Sequence, residues 1–182
     1  MKMISLETLR MKLRAVEPSP GELRRASVAV ILKEPQTPSV LLIKRAERAG
    51  DPWSGQTAFP GGKAQAGDVL LKGTAIRETR EEVGVDLEMD ADFLGYFLRF
   101  TTHTKTIEVF PAVFLLKSEP TLTLNEEVSS CRWVKLASLI EEKSISTHAV
   151  ETQDGKRDVP ALLVDGYLIW GLTLRILSSL LS

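Results

Sequence analysis

Residues 77–85 read Arg77-Glu78-Thr79-Arg80-Glu81-Glu82-Val83-Gly84-Val85. Glu78 and Glu82 stand four residues apart, so on a helix they share one face, with Glu81 beside them. Like charges at that spacing destabilise an isolated helix by roughly a few tenths of a kcal/mol per pair. The repulsion makes sense if a divalent cation sits among the carboxylates. Mg²⁺ suits such a cluster, because it takes carboxylate oxygens, keeps several waters and completes its shell with substrate phosphates. Ile76, Thr79 and Val83 form a separate, less polar stripe that can face a core. Taken as a bare string, the segment reads sooner as a solvated helix face with Arg77 and Arg80 as intrahelical partners. Phe59-Pro60-Gly61-Gly62 changes the weighing. This Gly-rich turn, just upstream, can bring bare backbone close to a ligand.

Together these residues resemble the signature of the Nudix hydrolases: Gly, five residues, Glu, seven residues, then Arg-Glu-hydrophobic-x-Glu-Glu-x-Gly-hydrophobic. Gly62 matches its first position, and Arg77, Glu78, Glu81, Glu82, Gly84 and Val85 match the later ones. Asp68 stands where the middle Glu belongs, eight residues instead of seven separate it from Arg77, and Thr79 replaces the aliphatic residue. That variant is similar to the form in the coenzyme A pyrophosphatase-like group. The segments Leu41-Leu42-Ile43-Lys44-Arg45-Ala46, Ser54-Gly55-Gln56, Ala58-Phe59-Pro60-Gly61-Gly62 and Ile169-Trp170-Gly171-Leu172-Thr173 extend the likeness over roughly residues 26–181. Where that group carries an Arg, four residues after Ala46, this chain has Gly50. The interval from Ala46 to Gly55 is also one residue longer, and Asp51-Pro52-Trp53 fills the altered stretch. These departures bear on the substrate, not on the reaction type.

The resemblance implies an α/β (α+β) fold, a Nudix-type α/β/α sandwich with a mixed central sheet. It implies Mg²⁺, or Mn²⁺ in its place, and attack of water on one phosphorus of a small-molecule diphosphate. A coenzyme A-like substrate is favoured over ADP-ribose or another nucleoside diphosphate derivative. Glu78 and Glu82 are expected as metal ligands, with Glu81 sharing the cluster and the Gly62 carbonyl completing it. Arg77 is expected to lock the loop and a glutamate in place. Glu81 is the first choice as the base that activates water, since a carboxylate crowded by others can hold a raised pKa. Glu127, beside Glu126 at a strand start, is the alternative base. Arg45, Lys44 and Lys63 flank the turn and can meet phosphate oxygens, with solvated surface charge an equal reading. Gly61 supplies backbone beside the ligand, and Trp53 lies in the adjacent loop where an indole can stack on a base. A reading from another class is a non-catalytic module that binds a nucleotide or a protein. Zinc is not expected, because His103 and His148 have no Cys or His at ligand spacing. No G-x-S-x-G supports a serine nucleophile.

The elements that must position these residues fit one domain over residues 1–182, with a core at about 26–181. The chain is 43% hydrophobic and 26% charged, an ordinary globular balance. Its 23 basic and 24 acidic residues argue against a general nucleic-acid binder. Lone Cys131 reads as a packing residue in a reducing compartment. No signal peptide is recognisable, and the most apolar stretch, residues 167–181, holds Arg175 and is too short to span a bilayer. A soluble, cytoplasmic protein is expected.

Helical spacing marks residues 4–16, with Ser5 as a cap and Pro18, Pro20 and Gly21 as the stop. Runs at 26–32 and 40–43 read as a hairpin around a turn at 35–38, and residues 46–57 as a loop. The acidic helix should end near Val83, with Gly84 beyond it. Strands are expected at 93–100, 107–116, 128–134 and 159–164, the last after an Asp154-Gly155 turn, and a short helix at 136–142. From about Leu168 the chain is apolar on nearly all sides. That predicts a helix buried in the core or across a homodimer, with the dimer favoured. Strands outnumber helices without alternating, which argues for a mixed sheet.

Overall fold

In the computed structural model, which describes residues 6–16, 24–33, 38–68, 70–140, 145–152 and 155–182, the expected hairpin is present. Strand β1 (Arg24–Lys33) meets β2 (Ser39–Arg45) antiparallel, with Leu32 opposite Val40. β1 also runs parallel to β7 (Ile107–Leu116), from Arg24 opposite Ile107 to Leu32 opposite Leu115. β7 in turn carries β5 (Ala91–Tyr96) and β6 (Phe100–Thr101), both antiparallel. β2 takes β3 (Thr57–Ala58) and β8 (Val128–Lys135), while β4 (Gly61–Lys63) lies antiparallel on β1. One parallel pair among antiparallel ones makes the central sheet mixed.

β1 and β7 read as near-continuous apolar runs because both sheet faces are covered. Side chains alternate across a strand. Ala29 and Ile31 therefore join Leu41, Ile43, Phe110 and Phe114 on one face, whereas Val30 and Leu32 join Val40, Leu42 and Val113 on the other. Helix α2 (Leu70–Val83) lays Leu71, Ala75, Ile76 and Val83 on the first face. Thr79 is fully buried there, and its hydroxyl finds no partner among the described residues. Gly84, at φ +74°, turns the chain out of the helix as foreseen. Short α3 (Leu87–Asp90) follows, its N-cap Asp86 accepting the Glu88 amide. α1 (Leu6–Met11) packs on the opposite face.

Beyond β8, α4 (Leu136–Ile140) leads to a three-stranded antiparallel sheet of β9 (Ile145–Thr152), β10 (Gly155–Val164) and β11 (Tyr167–Trp170). α5 (Gly171–Leu181) closes the second face: Ile176, Leu177 and Leu180 pack with Leu162, Ile169 and Val30. Layers of helix and β-structure thus cover both faces of the mixed sheet, in keeping with the expected α+β sandwich.

Several boundaries differ from the sequence reading. The expected strand at 93–100 breaks after Tyr96, past a register shift between Phe93 and Gly95. The first helix is shorter than 4–16, and Arg14 instead bridges to Tyr96. β9 carried no alternating signal, since its pattern is mostly exposed and polar. The apolar C-terminal stretch divides into β11 and α5, and its apolar side is consumed inside this chain, so no partner subunit is required to bury it. Cys131 packs against the core cluster, and burial pushes its thiol pKa up. No helix among the described residues is long and apolar enough to cross a membrane. Ser5, Pro18, Pro20, Gly21, the turn residues 34–37, residues 141–142 and Asp154 lie outside the described residues.

Candidate active site

The 3.6-residue period of α2 places Glu78 and Glu82 on the flank that meets β4, away from the apolar stripe. Glu82 is only 2% exposed, and its Oε2 accepts the Gly61 amide at 2.9 Å. Gly61 has φ +153°, and a Cβ there would run into the Ser27 carbonyl and lie 2.6 Å from the Val28 Cα. Next to it, a Cβ on Gly62 would collide with the Glu78 carboxyl. The paired glycines are thus what lets bare backbone lie along both carboxylates.

This proximity shows in the electrostatics. Burial pushes the Glu82 pKa up to about 7, and the Glu78 and Glu127 charges add to the rise, while the Gly61 amide and Arg45 oppose it. Burial also raises the Glu78 pKa, with Glu81 and Glu127 contributing and Arg77 opposing. Burial thus raises the pKa of both carboxylates on the β4 flank, Glu82 the more buried of the two. Glu81 is 55% exposed, and its Oε2 lies 3.4 Å from Arg77 Nη1.

Arg77 hydrogen-bonds to residues of both the loop and the helix. Its Nε and Nη2 donate to Asp68 at 2.9 and 3.1 Å, Nη2 also reaches the Lys63 carbonyl at 3.2 Å, and Nη1 donates to Glu78 at 2.8 Å. Asp68 further accepts from the Gln65 amide at 2.9 Å and the Thr74 hydroxyl at 2.8 Å. The Arg77 hydrogen bonds hold the Asp68 carboxyl well below the usual carboxylate range, and Asp68 in turn pushes the guanidinium pKa up. In the sequence, Asp68 stands out only as a departure from a signature. Its position in that signature was the available signal that it had a partner.

Arg45, expected either to meet phosphate oxygens or to be solvated surface charge, is already engaged by carboxylates. Its Nη2 pairs with Asp51 at 2.9 Å, its Nη1 lies 3.8 Å from Glu82, and its Nε is buried with no partner among the described residues. Burial alone would raise the Asp51 pKa, but the Trp53 amide, Arg45 and Arg48 bring it below its ordinary value. Trp53 is exposed, with Lys63 Nζ 5.8 Å from its ring centroid, and Lys44 is exposed in β2 opposite Thr57.

Glu126 and Glu127 lie in the turn before β8, not within the strand, at 3.3 and 3.5 Å from Arg48. Asn125 docks this turn on α2: its amide donates to the Glu82 carbonyl at 3.1 Å and its Oδ1 accepts the Glu127 amide at 2.9 Å. Neither Asn125 nor Arg48 carried a sequence signal for that work. His103 and His148 stand apart from this site, near Arg157 at 3.3 Å and Ser146 at 2.9 Å respectively.

Among the described residues, no cage of three His, Cys, Asp or Glu side chains is gathered that could hold an ion by itself. Mg²⁺ does not need one, because one or two carboxylates with waters and substrate phosphates satisfy it. Glu78 and Glu82 offer only hard oxygen donors and repel one another. A divalent ion between them would remove the repulsion, so the pair fits such an ion.

A family profile described as NUDIX domain matches residues 23–153. The uncharacterized protein C14C4.10c of Schizosaccharomyces pombe is 42% identical over 142 residues, covering 64% of this chain and 43% of that protein. The peroxisomal coenzyme A diphosphatase ndx-8 of Caenorhabditis elegans is 35% identical over 99 residues, covering 53% of this chain and 42% of that protein. The chain thus spans less than half the length of these two relatives. The uncharacterized Nudix hydrolase NudL of Yersinia pestis is 30% identical over 159 residues, covering 86% of this chain and 78% of that protein. Among solved structures, a MutT/nudix family protein from Enterococcus faecalis shares the fold, with a TM-score of 0.56, 19% identity and coverage of 88% and 61%. The domain match takes in the glycine turn, the acidic helix and most of the mixed sheet, and on that ground the chain belongs to the Nudix family.

Proposed function

We propose that this protein hydrolyses the P–O–P linkage of a nucleoside diphosphate derivative with the help of Mg²⁺, or Mn²⁺ in its place. The observation that carries the reading is the Glu78–Glu82 pair, half-buried to buried, set against the Gly61–Gly62 backbone, both raised in pKa by burial first and then by neighbouring carboxylate charge. Two carboxylates kept at such a cost in repulsion are matched to a cation and the diphosphate it brings.

Glu78 and Glu82 hold the metal, with the Gly62 carbonyl beside them. When bound, the ion offsets the diphosphate charge and polarises the phosphorus under attack. Arg77 is a positioning residue: it fixes the Glu78 carboxyl and ties it to the loop through Asp68. Arg45 positions Glu82 from the other side and anchors Asp51. Glu81, more than half exposed at the open end of the cluster, takes the proton of the attacking water. Glu127 is the alternative base, since its charge reaches both Glu78 and Glu82. Lys63 meets a phosphate oxygen.

Coenzyme A-like molecules are the favoured substrates, supported by the likeness to ndx-8. Gly50, in place of an Arg, weakens grip on an extra phosphate and keeps ADP-ribose as the second candidate. The test compares kcat/KM for coenzyme A, dephospho-coenzyme A, ADP-ribose and a dinucleoside polyphosphate, each with excess Mg²⁺ and then Mn²⁺. A tenfold advantage of a nucleotide over both coenzyme A forms overturns the coenzyme A preference alone. Tight binding of these compounds without turnover by either metal overturns hydrolysis in favour of a binding module.

A further inference from the structure

The loop between β2 and β3 holds a tryptophan that the fold leaves wet. Trp53 is 38% exposed, although an indole contributes most to stability when buried. The surrounding backbone keeps it there. Asp51 Oδ1 accepts the Trp53 amide at 3.0 Å, and the Gln56 amide donates to the Trp53 carbonyl at 3.2 Å. Ser54 links the same turn in both directions, its amide donating to the Asp51 carbonyl at 3.1 Å and its hydroxyl accepting the Arg48 amide at 2.9 Å.

Two routes join this indole to the carboxylates. Asp51 pairs with Arg45, whose other nitrogen stands 3.8 Å from Glu82. Lys63, with its ammonium 5.8 Å from the ring centroid, directly follows Gly62, the residue pressed against Glu78. From these relations we infer that Trp53 is a stacking platform for the flat base of the substrate, with Lys63, which lies over the ring and directly follows Gly62, meeting an adjoining phosphate. The inference rests on the diphosphate reading above and deepens it by assigning the base of the nucleoside to the Trp53 ring. Stacking tolerates any base, because every base presents a π-face. The platform therefore selects for the presence of a base, not its identity, and diphosphates without one are poor ligands.

The test has one arm that needs no turnover. In EDTA, the indole fluorescence of the whole protein is titrated with AMP and ADP, and with ribose 5-phosphate as the base-free probe. Saturable quenching by AMP and ADP is expected, with none by ribose 5-phosphate. Trp53→Phe should remove the quenching while Trp133 and Trp170 still emit. Equal quenching by ribose 5-phosphate, or full quenching retained in Trp53→Phe, overturns the platform. In the second arm, Trp53→Ala should raise KM for ADP-ribose on the order of tenfold, the loss of one base–aromatic stack. Its kcat should change little, and Trp53→Phe should restore most of the KM. An ADP-ribose analogue lacking adenine should show no matching rise, and an equal rise with that analogue counts against stacking. Quenching at Trp53 without hydrolysis of any diphosphate supports the platform and defeats the hydrolase reading, so the two fail separately.

Discussion

Arg77 grips Asp68 with two nitrogens, Nε at 2.9 Å from Oδ1 and Nη2 at 3.1 Å from Oδ2. That fork leaves Nη1 to hold Glu78 at 2.8 Å, so one guanidinium sets both the loop after β4 and the carboxylate face of α2. The shorter acid and longer gap that depart from the family signature still leave the arginine fully engaged.

Replacing Asp68 with Asn removes the charge from this fork while keeping the shape. Hydrogen bonds to charged groups contribute about 1.5–3 kcal/mol, so a loss of that order at neutral pH is expected in urea unfolding. The Asp68 pKa is depressed below 3.8 in the folded protein. Its contribution is therefore present above that value and is lost as pH falls below it towards the folded pKa. The gap between Asp68→Asn and the parent should narrow in acid, and an undiminished gap at pH 3 would contradict this account.

Glu82 has the opposite sign. Its folded pKa is raised from 4.5 to about 7, so the metal-free protein is favoured below 4.5 and loses stability as pH rises through 7. At roughly 1.4 kcal/mol per unit, the penalty is about 3 kcal/mol at pH 8. Glu82→Gln keeps an acceptor for the Gly61 amide and should abolish that slope, raising the metal-free Tm at pH 8. Activity should fall at least ~100-fold, scaled from the 10–100-fold losses seen for outer-shell groups at metal sites. Mg²⁺ should raise the parent's Tm at pH 8 more than the variant's. Equal Mg²⁺ shifts would remove Glu82 from the ligand set.

The adjacent glycines should fail in different ways when changed to Ala. Gly61→Ala puts a methyl against strand backbone at φ +153°, and the expected result is a large loss of folded protein. Gly62→Ala presses only on the Glu78 side chain, which can swing away. It should stay folded and lose most activity together with Mg²⁺ affinity. Circular dichroism alongside isothermal titration with Mg²⁺ separates the two outcomes, and an active Gly62→Ala enzyme would argue against Glu78 as ligand.

Leu177 is 1% exposed and packs within its own chain. Leu177→Ala should cost about 2–5 kcal/mol, as large-to-small changes in cores do. The parent Tm should not depend on protein concentration, because α5 finds its partners without a second copy. A Tm that climbs with concentration would restore the dimer interpretation.

Local sequence carried much of this protein. The period of 3.6 residues puts Glu78 and Glu82 on one face, Gly84 ends α2, and the unbroken apolar runs of β1 and β7 call for a sheet covered on both sides. Each of these follows from residues within a turn or a strand of one another. The polar edge strand β9 was illegible for the complementary reason: with mostly exposed positions it needs no alternating pattern, only the β10 ladder beside it.

What one residue meets across the fold belonged to the tertiary structure. The sequence put three glutamates on one helix without saying which is buried, and packing made Glu82 the buried one, because the Gly61 amide of β4, twenty-one positions earlier, donates to it. Arg45 looked like a free cation until the altered loop returned Asp51 to it, and Glu127 looked like a strand end until Asn125 docked its turn on the end of α2. Side-chain type and spacing determine which charges share a face. Burial, partner and pKa depend on desolvation by segments distant in the chain, and those are decided only when the sheet brings them together.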